Sequence, residues 1–263
     1  MADGADAVRG ADTDADRIVF LGHATVLIEV ESVRLLTDPL LRRGVAHLRR
    51  QAPMVDGSVF AEPDAVLISH LHHDHLDLAS LRMLGPETPL IVPAGAGAWL
   101  RRRGFTTVGE LRLGDVARVG ALTIGAVEAR HDGRRPGGPA AETLGYLISG
   151  RHTVYFAGDT ELFADMSEIA TSLDVALLPV AGWGPTLGPG HMDPLDAARA
   201  VAAMQPRLAI PVHWGTLLPV GLSRRYRTRL ADPPRLFAEH VARLAPRVEV
   251  RILTPGESTV VDC

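Results

Sequence analysis

The chain of 263 residues has very little cysteine, and this scarcity excludes several kinds of site. Its one cysteine is Cys263, the last residue, so no disulfide can form within the chain. A zinc site built from several cysteines is excluded for the same reason, and we expect no cysteine nucleophile in a core site. So little cysteine is typical of a reducing compartment, and we predict a cytoplasmic protein.

Long apolar runs, lysine and asparagine are also missing. No apolar run approaches the ~20 residues that cross a bilayer, so we expect no stable membrane insertion. All 27 basic residues are arginine, and together with the absence of asparagine this predicts a GC-rich bacterial genome. The net charge of −4 disfavours nucleic acid as a partner, because proteins that bind phosphate backbones ordinarily carry a basic excess.

The composition of the remaining chain is that of a globular protein. Apolar residues make up 46% and charged residues 22%, which suits a sizeable core. The first 16 residues are rich in alanine, aspartate and glycine and lack the features of a signal peptide. We predict a disordered acidic lead over residues 1–16 and a single domain over residues 17–263. The sequence predicts no oligomeric state.

Short runs rich in valine and isoleucine, bounded by glycine, aspartate or proline, predict strands in both halves of the chain. Helical patterns fall between some of them, and three long loops are expected to carry function. The predicted strands are 18–21, 25–30, 33–36, 65–69, 90–92, 121–127, 144–149, 154–157, 175–179, 208–212 and 248–253. The predicted helices are 79–84, 96–103, 193–204 and 234–244, and the loops are 39–63, 131–143 and 181–191. Hairpins followed by strand–helix alternation predict an α/β fold with two sheets and helices outside them.

A histidine-rich segment follows the predicted strand 65–69 and reads His-Leu-His-His-Asp-His from residue 70. His70 and His72 lie two residues apart, so an extended backbone places both imidazoles on one face. Asp74 and His75 follow at the turn. Imidazole and carboxylate groups are the ligands of zinc and similar divalent metals. The density of ligands favours a metal site over a polar loop that happens to be rich in histidine.

Further ligands are expected downstream. Four ligands are too many for one catalytic zinc ion, which keeps three protein ligands and an open position, and too few for two. His131, Asp159 and His213 each lie at the end of a predicted strand. With His70, His72, Asp74 and His75 they make seven ligands, enough for three on each of two ions and one bridging carboxylate. We predict two divalent ions, zinc first, with manganese or iron as alternatives.

The spacing His-x-His-x-Asp-His, with the later ligands in the same order, resembles the metallo-β-lactamase superfamily. The resemblance covers roughly residues 17–260 and implies a four-layer αββα sandwich. Four short motifs are similar to the branch of N-acyl-phosphatidylethanolamine phospholipase D and the ascorbate-phosphate lactonases. They are Gly22-His23-Ala24-Thr25, Thr37-Asp38-Pro39, His191-Met192-Asp193-Pro194 and His213-Trp214-Gly215-Thr216.

The resemblance also implies which residues hold each ion. The first ion is held by His70, His72 and His131, the second by Asp74, His75 and His213, and Asp159 bridges the two. His73 has no ligand role. His23 and Asp38 are implied to support the ligands, with a role as ordinary turn residues as the alternative. The chain has no evident amphipathic segment for docking on membranes, which disfavours a lipid substrate of the phospholipase kind.

The predicted chemistry is hydrolysis by a hydroxide that bridges the two metal ions. Metal coordination lowers the pKa of water from 15.7 to about 7. Two divalent ions carry four positive charges. The carboxylates of Asp74 and Asp159 and one hydroxide cancel three of them, which leaves a single positive charge. That charge favours a small anionic substrate, a phosphodiester, or a lactone or ester that forms an oxyanion. Asp74 is the candidate to orient the nucleophile and to shuttle a proton.

Two alternatives of the same fold stay open from the residues. A diiron redox protein usually needs a carboxylate where His72 stands, and a metal-dependent ribonuclease is opposed by the net charge. Four arginines after His213 are candidates to bind an anionic tail, with a solvated arginine-rich face as the alternative. They are Arg224, Arg225, Arg227 and Arg229.

His191 is the second predicted catalytic residue. It precedes Asp193, the expected cap of the helix that begins at Pro194, and a helix amino terminus suits an anion. The seven ligands are complete without it. We predict that it stabilises negative charge on the substrate or protonates the leaving group, with a simple helix-entry contact as the alternative.

Overall fold

The structure is a computed structural model that describes residues 15–182, 187–222, 226 and 230–262. Several parts of the chain named above lie outside the described residues. They are the acidic lead before residue 15, the final Cys263 and the four arginines Arg224, Arg225, Arg227 and Arg229. Asp16, which the predicted boundary placed in the lead, is instead 5% exposed. Its carboxylate accepts a hydrogen bond from the Glu31 amide at 2.8 Å, so this residue packs with the domain.

Seventeen strands and four helices are assigned to the described residues. The strands are β1 (Arg17–Gly22), β2 (Thr25–Val30), β3 (Val33–Thr37), β4 (Gly44–Val45), β5 (Leu48–Arg50), β6 (Ala65–Leu67), β7 (Leu90–Pro93), β8 (Val108–Leu111), β9 (Val116–Val119), β10 (Leu122–Glu128), β11 (Leu144–Ser149), β12 (Thr153–Phe156), β13 (Val175–Pro179), β14 (Leu208–Val212), β15 (Leu217–Pro219), β16 (Glu249–Val250) and β17 (Ser258–Val260). The helices are α1 (Leu78–Leu84), α2 (Gly97–Arg101), α3 (Pro194–Met204) and α4 (Asp232–Leu244). None of these helices is long and apolar enough to span a membrane.

The strands form two sheets of seven and one small sheet of three. The first sheet has the order β17-β1-β2-β3-β6-β7-β8, and the second has the order β16-β14-β13-β12-β11-β10-β9. In each large sheet, antiparallel hairpins come first and parallel strands follow. The small sheet pairs β15 with β5 and β5 with β4. The predicted pair of sheets is therefore present.

The alternating side chains of β1 show what packs against each face of the first sheet. Ile18 and Phe20 belong to one apolar cluster together with Tyr146 and Phe156 of the second sheet, so these faces pack against each other. Val19, between them, belongs to a second cluster on the opposite face, which also holds residues of α1 and α2. Successive side chains of a strand point to opposite faces, as is expected for a strand that packs between two apolar layers.

The second sheet is covered on its outer side by α3 and α4. Val201 of α3 and Phe237 and Val241 of α4 are fully buried in the cluster of that sheet. Each such side chain contributes roughly 1.5–3 kcal/mol by leaving water. Asp193 caps α3 by accepting from the amides of Leu195 and Asp196, as the sequence predicted. Two sheets between two helical layers form the four-layer αββα sandwich that the sequence predicted.

Several elements differ from the predicted ones. The predicted loop 39–63 contains β4, β5 and a short 3-10 turn, Gly57–Phe60. The predicted strand 248–253 pairs over only two residues, as β16. The sequence also missed β8, β9, β15 and β17. These strands have three or four residues each, too few for a clear pattern of their own. The two shortest, β15 and β17, pair with β5 and β1, which lie far away in the chain.

Candidate metal centre

The histidine-rich segment forms the connection between β6 and α1. Its far end is fixed by Asp77, which caps α1 by accepting from the amide of Ser80 at 3.0 Å. Arg42 holds the same carboxylate through two hydrogen bonds of 2.7 Å. The ligand residues therefore lie on a short loop that is anchored to a strand at one end and to a capped helix at the other.

Three imidazoles converge in a first cluster. The Nδ1 atom of His72 lies 3.1 Å from His70 Nε2 and 3.1 Å from His131 Nε2. Two nitrogen ligands of one tetrahedral zinc ion, each about 2.0–2.1 Å from the metal, lie about 3.3 Å apart. The three atoms are therefore spaced as ligands of a single ion.

Neighbouring groups fix the protons of two of these rings. His131 Nδ1 lies 2.9 Å from the carbonyl oxygen of Gly190, which can only accept, so Nδ1 carries the proton. Ser69 Oγ donates to Asp38 at 2.5 Å, so it accepts from His70 Nδ1 at 3.0 Å. Both rings thus direct an unprotonated Nε2 towards the centre. Lone pairs that converge in this way fit a bound cation.

A second cluster contains His75, His213, Asp74 and His23, whose ligand atoms lie within 4.8 Å of one another. The Nε2 atoms of His75 and His213 are 3.2 Å apart. His213 Nδ1 donates to the carbonyl oxygen of Ala181 at 2.8 Å, so its Nε2 also offers a lone pair. Burial lowers the pKa of His213 to about 3, so this ring is neutral and ready to bind a metal.

Asp159 lies between the two clusters. Its carboxylate is 3.2 Å from His75 Nε2 and 3.3 Å from His213 Nε2. It also groups with His131 of the first cluster and with His191. Its Oδ1 atom is buried and has no hydrogen-bond partner among the described residues. A buried carboxylate oxygen without a partner is costly, and a cation between the clusters would satisfy it.

The charges in the centre follow from burial and from close neighbours. Burial raises the pKa of Asp159, but the imidazoles of His213 and His75 outweigh it and hold this pKa well below its ordinary value. Burial lowers the pKa of His75, but the carboxylates of Asp159 and Asp38 outweigh it and raise this pKa well above its ordinary value. A proton and a metal ion therefore compete for His75.

The structure brings all seven predicted ligands together. His191 also reaches the centre, with Nε2 3.5 Å from Asp159 Oδ2, whereas His73 is exposed. Asp38 is fully buried and accepts from His75 Nδ1 at 2.7 Å, so it supports a ligand. The chain therefore carries two clusters of nitrogen and carboxylate donors joined by one aspartate.

His23 lies closer to the centre than its motif suggested. Its Nε2 is 2.9 Å from Asp74 Oδ2, and its ring centroid is 3.9 Å from that of His213. The residue adopts a left-handed backbone, φ 58°, in the turn between β1 and β2. The sequence marks this residue only through the motif Gly22-His23-Ala24-Thr25. The motif does not indicate in which direction the side chain points.

Comparison with known proteins identifies the class. Residues 33–214 match the family described as beta-lactamase superfamily domain, so the chain belongs to the metallo-β-lactamase superfamily, whose members include metal-dependent hydrolases. A UPF0173 metal-dependent hydrolase of Methanopyrus kandleri is 35% identical over 251 residues, covering 92% of this chain and 98% of that protein.

Two further similarities concern the branch and the fold. The N-acyl-phosphatidylethanolamine-hydrolyzing phospholipase D 1 of Caenorhabditis elegans is 29% identical over 234 residues, covering 79% of this chain and 65% of that protein. The structure of Igni18, a metallo hydrolase from Ignicoccus hospitalis, has a TM-score of 0.73 at 25% identity and covers 95% of this chain and 99% of that one. The superfamily and the fold predicted from the sequence are confirmed.

Proposed function

We propose that the protein is a dinuclear metal-dependent hydrolase that acts on a small anionic substrate, a phosphodiester, or a lactone or ester. The observation that carries the proposal is the carboxylate of Asp159, which lies within 4.8 Å of the His131 ring nitrogen in the first cluster and 3.2 Å from His75 Nε2 in the second. One of its oxygens is buried without a hydrogen-bond partner among the described residues. A mononuclear site would need neither the second cluster nor a shared carboxylate.

The donor set supports two zinc ions, with manganese or iron as alternatives. Nitrogen donors with fixed protons and ionised carboxylates are the ligands that divalent zinc prefers. The proposed ligands are His70, His72 and His131 for one ion, Asp74, His75 and His213 for the other, and Asp159 for both. When bound, the two ions supply a water of lowered pKa and polarise a substrate oxygen. An imidazole at residue 72, in place of a carboxylate, supports hydrolysis over diiron redox chemistry.

Asp74 is proposed to orient the attacking water and to accept its proton. Burial raises the pKa of Asp74, but the His75 imidazole and the hydrogen bond from His23 outweigh it and lower this pKa strongly. The carboxylate is therefore ionised at neutral pH. The contact with His23 Nε2, 2.9 Å from Oδ2, fixes the direction of this carboxylate.

His191 is proposed to contact the substrate and to protonate the leaving group or stabilise its charge. Its Nδ1 lies 3.1 Å from the carbonyl oxygens of Gly188 and Pro189, and its Nε2 faces Asp159. Burial lowers the pKa of His191, but the hydrogen bond to Asp159 outweighs it and raises this pKa. Acceptors on both sides favour the protonated ring, which suits an anionic substrate.

The setting of the enzyme is part of the proposal. The scarcity of cysteine supports a cytoplasmic protein, and the absence of lysine and asparagine supports a bacterial source. The net charge of −4 supports a small molecule over a nucleic acid as substrate. The proposed enzyme is a single domain over residues 17–263 and does not insert stably into membranes.

The experiment is a screen of purified, metal-loaded protein against three chromogenic probes: a phosphodiester, a lactone and an acyl ester. We expect one class to be hydrolysed, and we expect the activity to disappear in the double variant H70A/H72A. That variant keeps the second cluster and most of the fold, so it is the matched control. Absence of turnover on all three classes by fully loaded protein, or equal turnover by the control, would contradict the proposal.

A further inference from the structure

A half-buried guanidinium lies directly behind the histidine-rich segment. One nitrogen of Arg135, Nη1, donates to the carbonyl oxygens of Leu71 at 3.2 Å and Leu76 at 2.7 Å. No carboxylate among the described residues lies within ion-pair distance of Arg135. A half-buried arginine is usually paired with a carboxylate, whereas Arg135 donates to two backbone carbonyls instead.

The two carbonyls bracket the ligands. Leu71 and Leu76 stand at the ends of the segment that supplies His72 to the first cluster and Asp74 and His75 to the second. The strand β6 and the capped helix α1 anchor the chain on either side of this segment, but no strand pairing runs between Leu71 and Leu76. Two bonds to one rigid, planar group restrain the ends relative to each other and so restrain the ligands between them.

Arg135 itself belongs to the loop that begins with another ligand, His131. This loop is pressed against the histidine-rich segment, because a Cβ on Gly133 would lie 2.6 Å from the Cβ of His70. The Gly133 carbonyl oxygen also accepts from the Leu71 amide at 3.3 Å. Arg135 therefore connects a loop of the first cluster with the loop that serves both clusters.

The guanidinium is held in place by an aromatic ring. Its carbon Cζ lies 5.5 Å from the ring centroid of Trp99, and Arg103 stacks on the same ring at 3.7 Å. Trp99 is 8% exposed and packs in the apolar cluster under α2. Stacking on a fixed ring orients a planar cation, so little freedom is lost when it bonds to the loop.

We propose that Arg135 is a positioning residue that holds the two ligand-bearing loops in the geometry required for binding metal. The proposal rests on the metal ligands of the proposed function and extends it to a residue that contacts none of the reacting atoms. Without the guanidinium, both loops remain part of the fold, but the ends of the histidine-rich segment are less restrained. We therefore expect the substitution to lower metal affinity rather than to unfold the protein. Outer contacts of this kind are worth about 10–100-fold in metal affinity.

The test compares R135M, R135K and R134M. Methionine keeps the apolar stem and removes the donors, whereas lysine keeps the charge and donors but loses the planar stack on Trp99. Arg134 is the matched control, because its side chain is 80% exposed and pairs with Asp132 of the same turn. Zinc affinity is measured by competition with a chromophoric chelator, and the melting temperature of each metal-free protein is measured alongside.

We expect R135M to lower zinc affinity about 10–100-fold, R135K to lower it less, and R134M to match the wild type. The measurement is made well below the melting temperature of every metal-free variant, so a general loss of stability cannot produce the difference. A lower melting temperature with unchanged affinity would overturn the proposal, and R135K decides the outcome if R135M does not fold. A wild type that binds no zinc would overturn this proposal and the proposed function together, whereas equal affinities overturn this one alone.

Discussion

Replacing His191 with alanine removes an imidazole that faces the centre without completing either cluster. A positioned acid–base group contributes roughly 10²–10⁴ in rate. At 1.36 kcal/mol for each factor of ten, the loss corresponds to about 3–5 kcal/mol of transition-state stabilisation. We expect H191A to lose turnover by this factor on whichever probe the wild type hydrolyses.

Metal binding should survive the substitution. His191 Nε2 is 3.5 Å from Asp159 Oδ2, which is at the outer limit of a hydrogen bond, whereas His75 and His213 approach the same carboxylate at 3.2 and 3.3 Å. Asp159 therefore keeps its closer neighbours. The ring is also 20% exposed, so its loss opens no buried cavity. We expect the metal content and the melting temperature of H191A to match the wild type.

The assay is kcat over a range of pH, with metal content measured on the same samples. Because the pKa of His191 is raised, the acid form is complete below the ordinary value of 6.5 and is lost as the pH rises through the raised value. Wild-type kcat should therefore fall on the alkaline side, and H191A should lack this fall. The exposed His73 supplies the control H73A. Unchanged turnover in H191A would refute the catalytic role, and loss of metal would make His191 a ligand.

Three further predictions concern the metal ligands and the core beneath them. D159A should lower occupancy at both metal positions, whereas H213A should mainly empty one; equal loss would contradict the bridging assignment. Metal occupancy after dialysis should fall as the pH is lowered, because the raised pKa of His75 lets protons displace the metal; full occupancy retained below the ordinary histidine value of 6.5 would count against this competition. Y146F should cost about 1–3 kcal/mol in denaturant unfolding, because Tyr146 OH donates to the buried Ile68 carbonyl oxygen at 2.7 Å; an unchanged midpoint would show that bond to be dispensable.

The longer strands and the helices were predictable because their patterns are local. The strands β2, β11, β13 and β14 have the predicted bounds, since each is a short run made mostly of apolar residues. The helix α3 was predictable for a similar reason, because Asp193 and Pro194 mark its start in the sequence itself.

Short strands were not predictable in the same way. The residues of β5, Leu48–Arg50, alternate little and include two arginines, so no local pattern marks a strand. The strand is defined by its partners, the two-residue β4 just before it and β15, which lies more than 160 residues later in the chain. Pairing between residues so far apart in the sequence depends on how the two large sheets position the segments that carry β5 and β15.

Ligand types and spacing were visible in the sequence, but their supports were not. Backbone carbonyls have no sequence signal, so nothing marked Gly190 and Ala181 as the acceptors that fix the protons of His131 and His213. Arg135 looked like one more arginine in a loop rich in glycine and proline. Its role depends on two carbonyls that only the folded loop brings together.

The central claim is that the chain binds two metal ions through one shared carboxylate. The most direct measurement is elemental analysis of protein that has been loaded with zinc and freed of excess metal by gel filtration. Two clusters joined by Asp159 predict close to two equivalents of zinc for each chain. One equivalent or none, with zinc supplied in excess at neutral pH, would contradict the account.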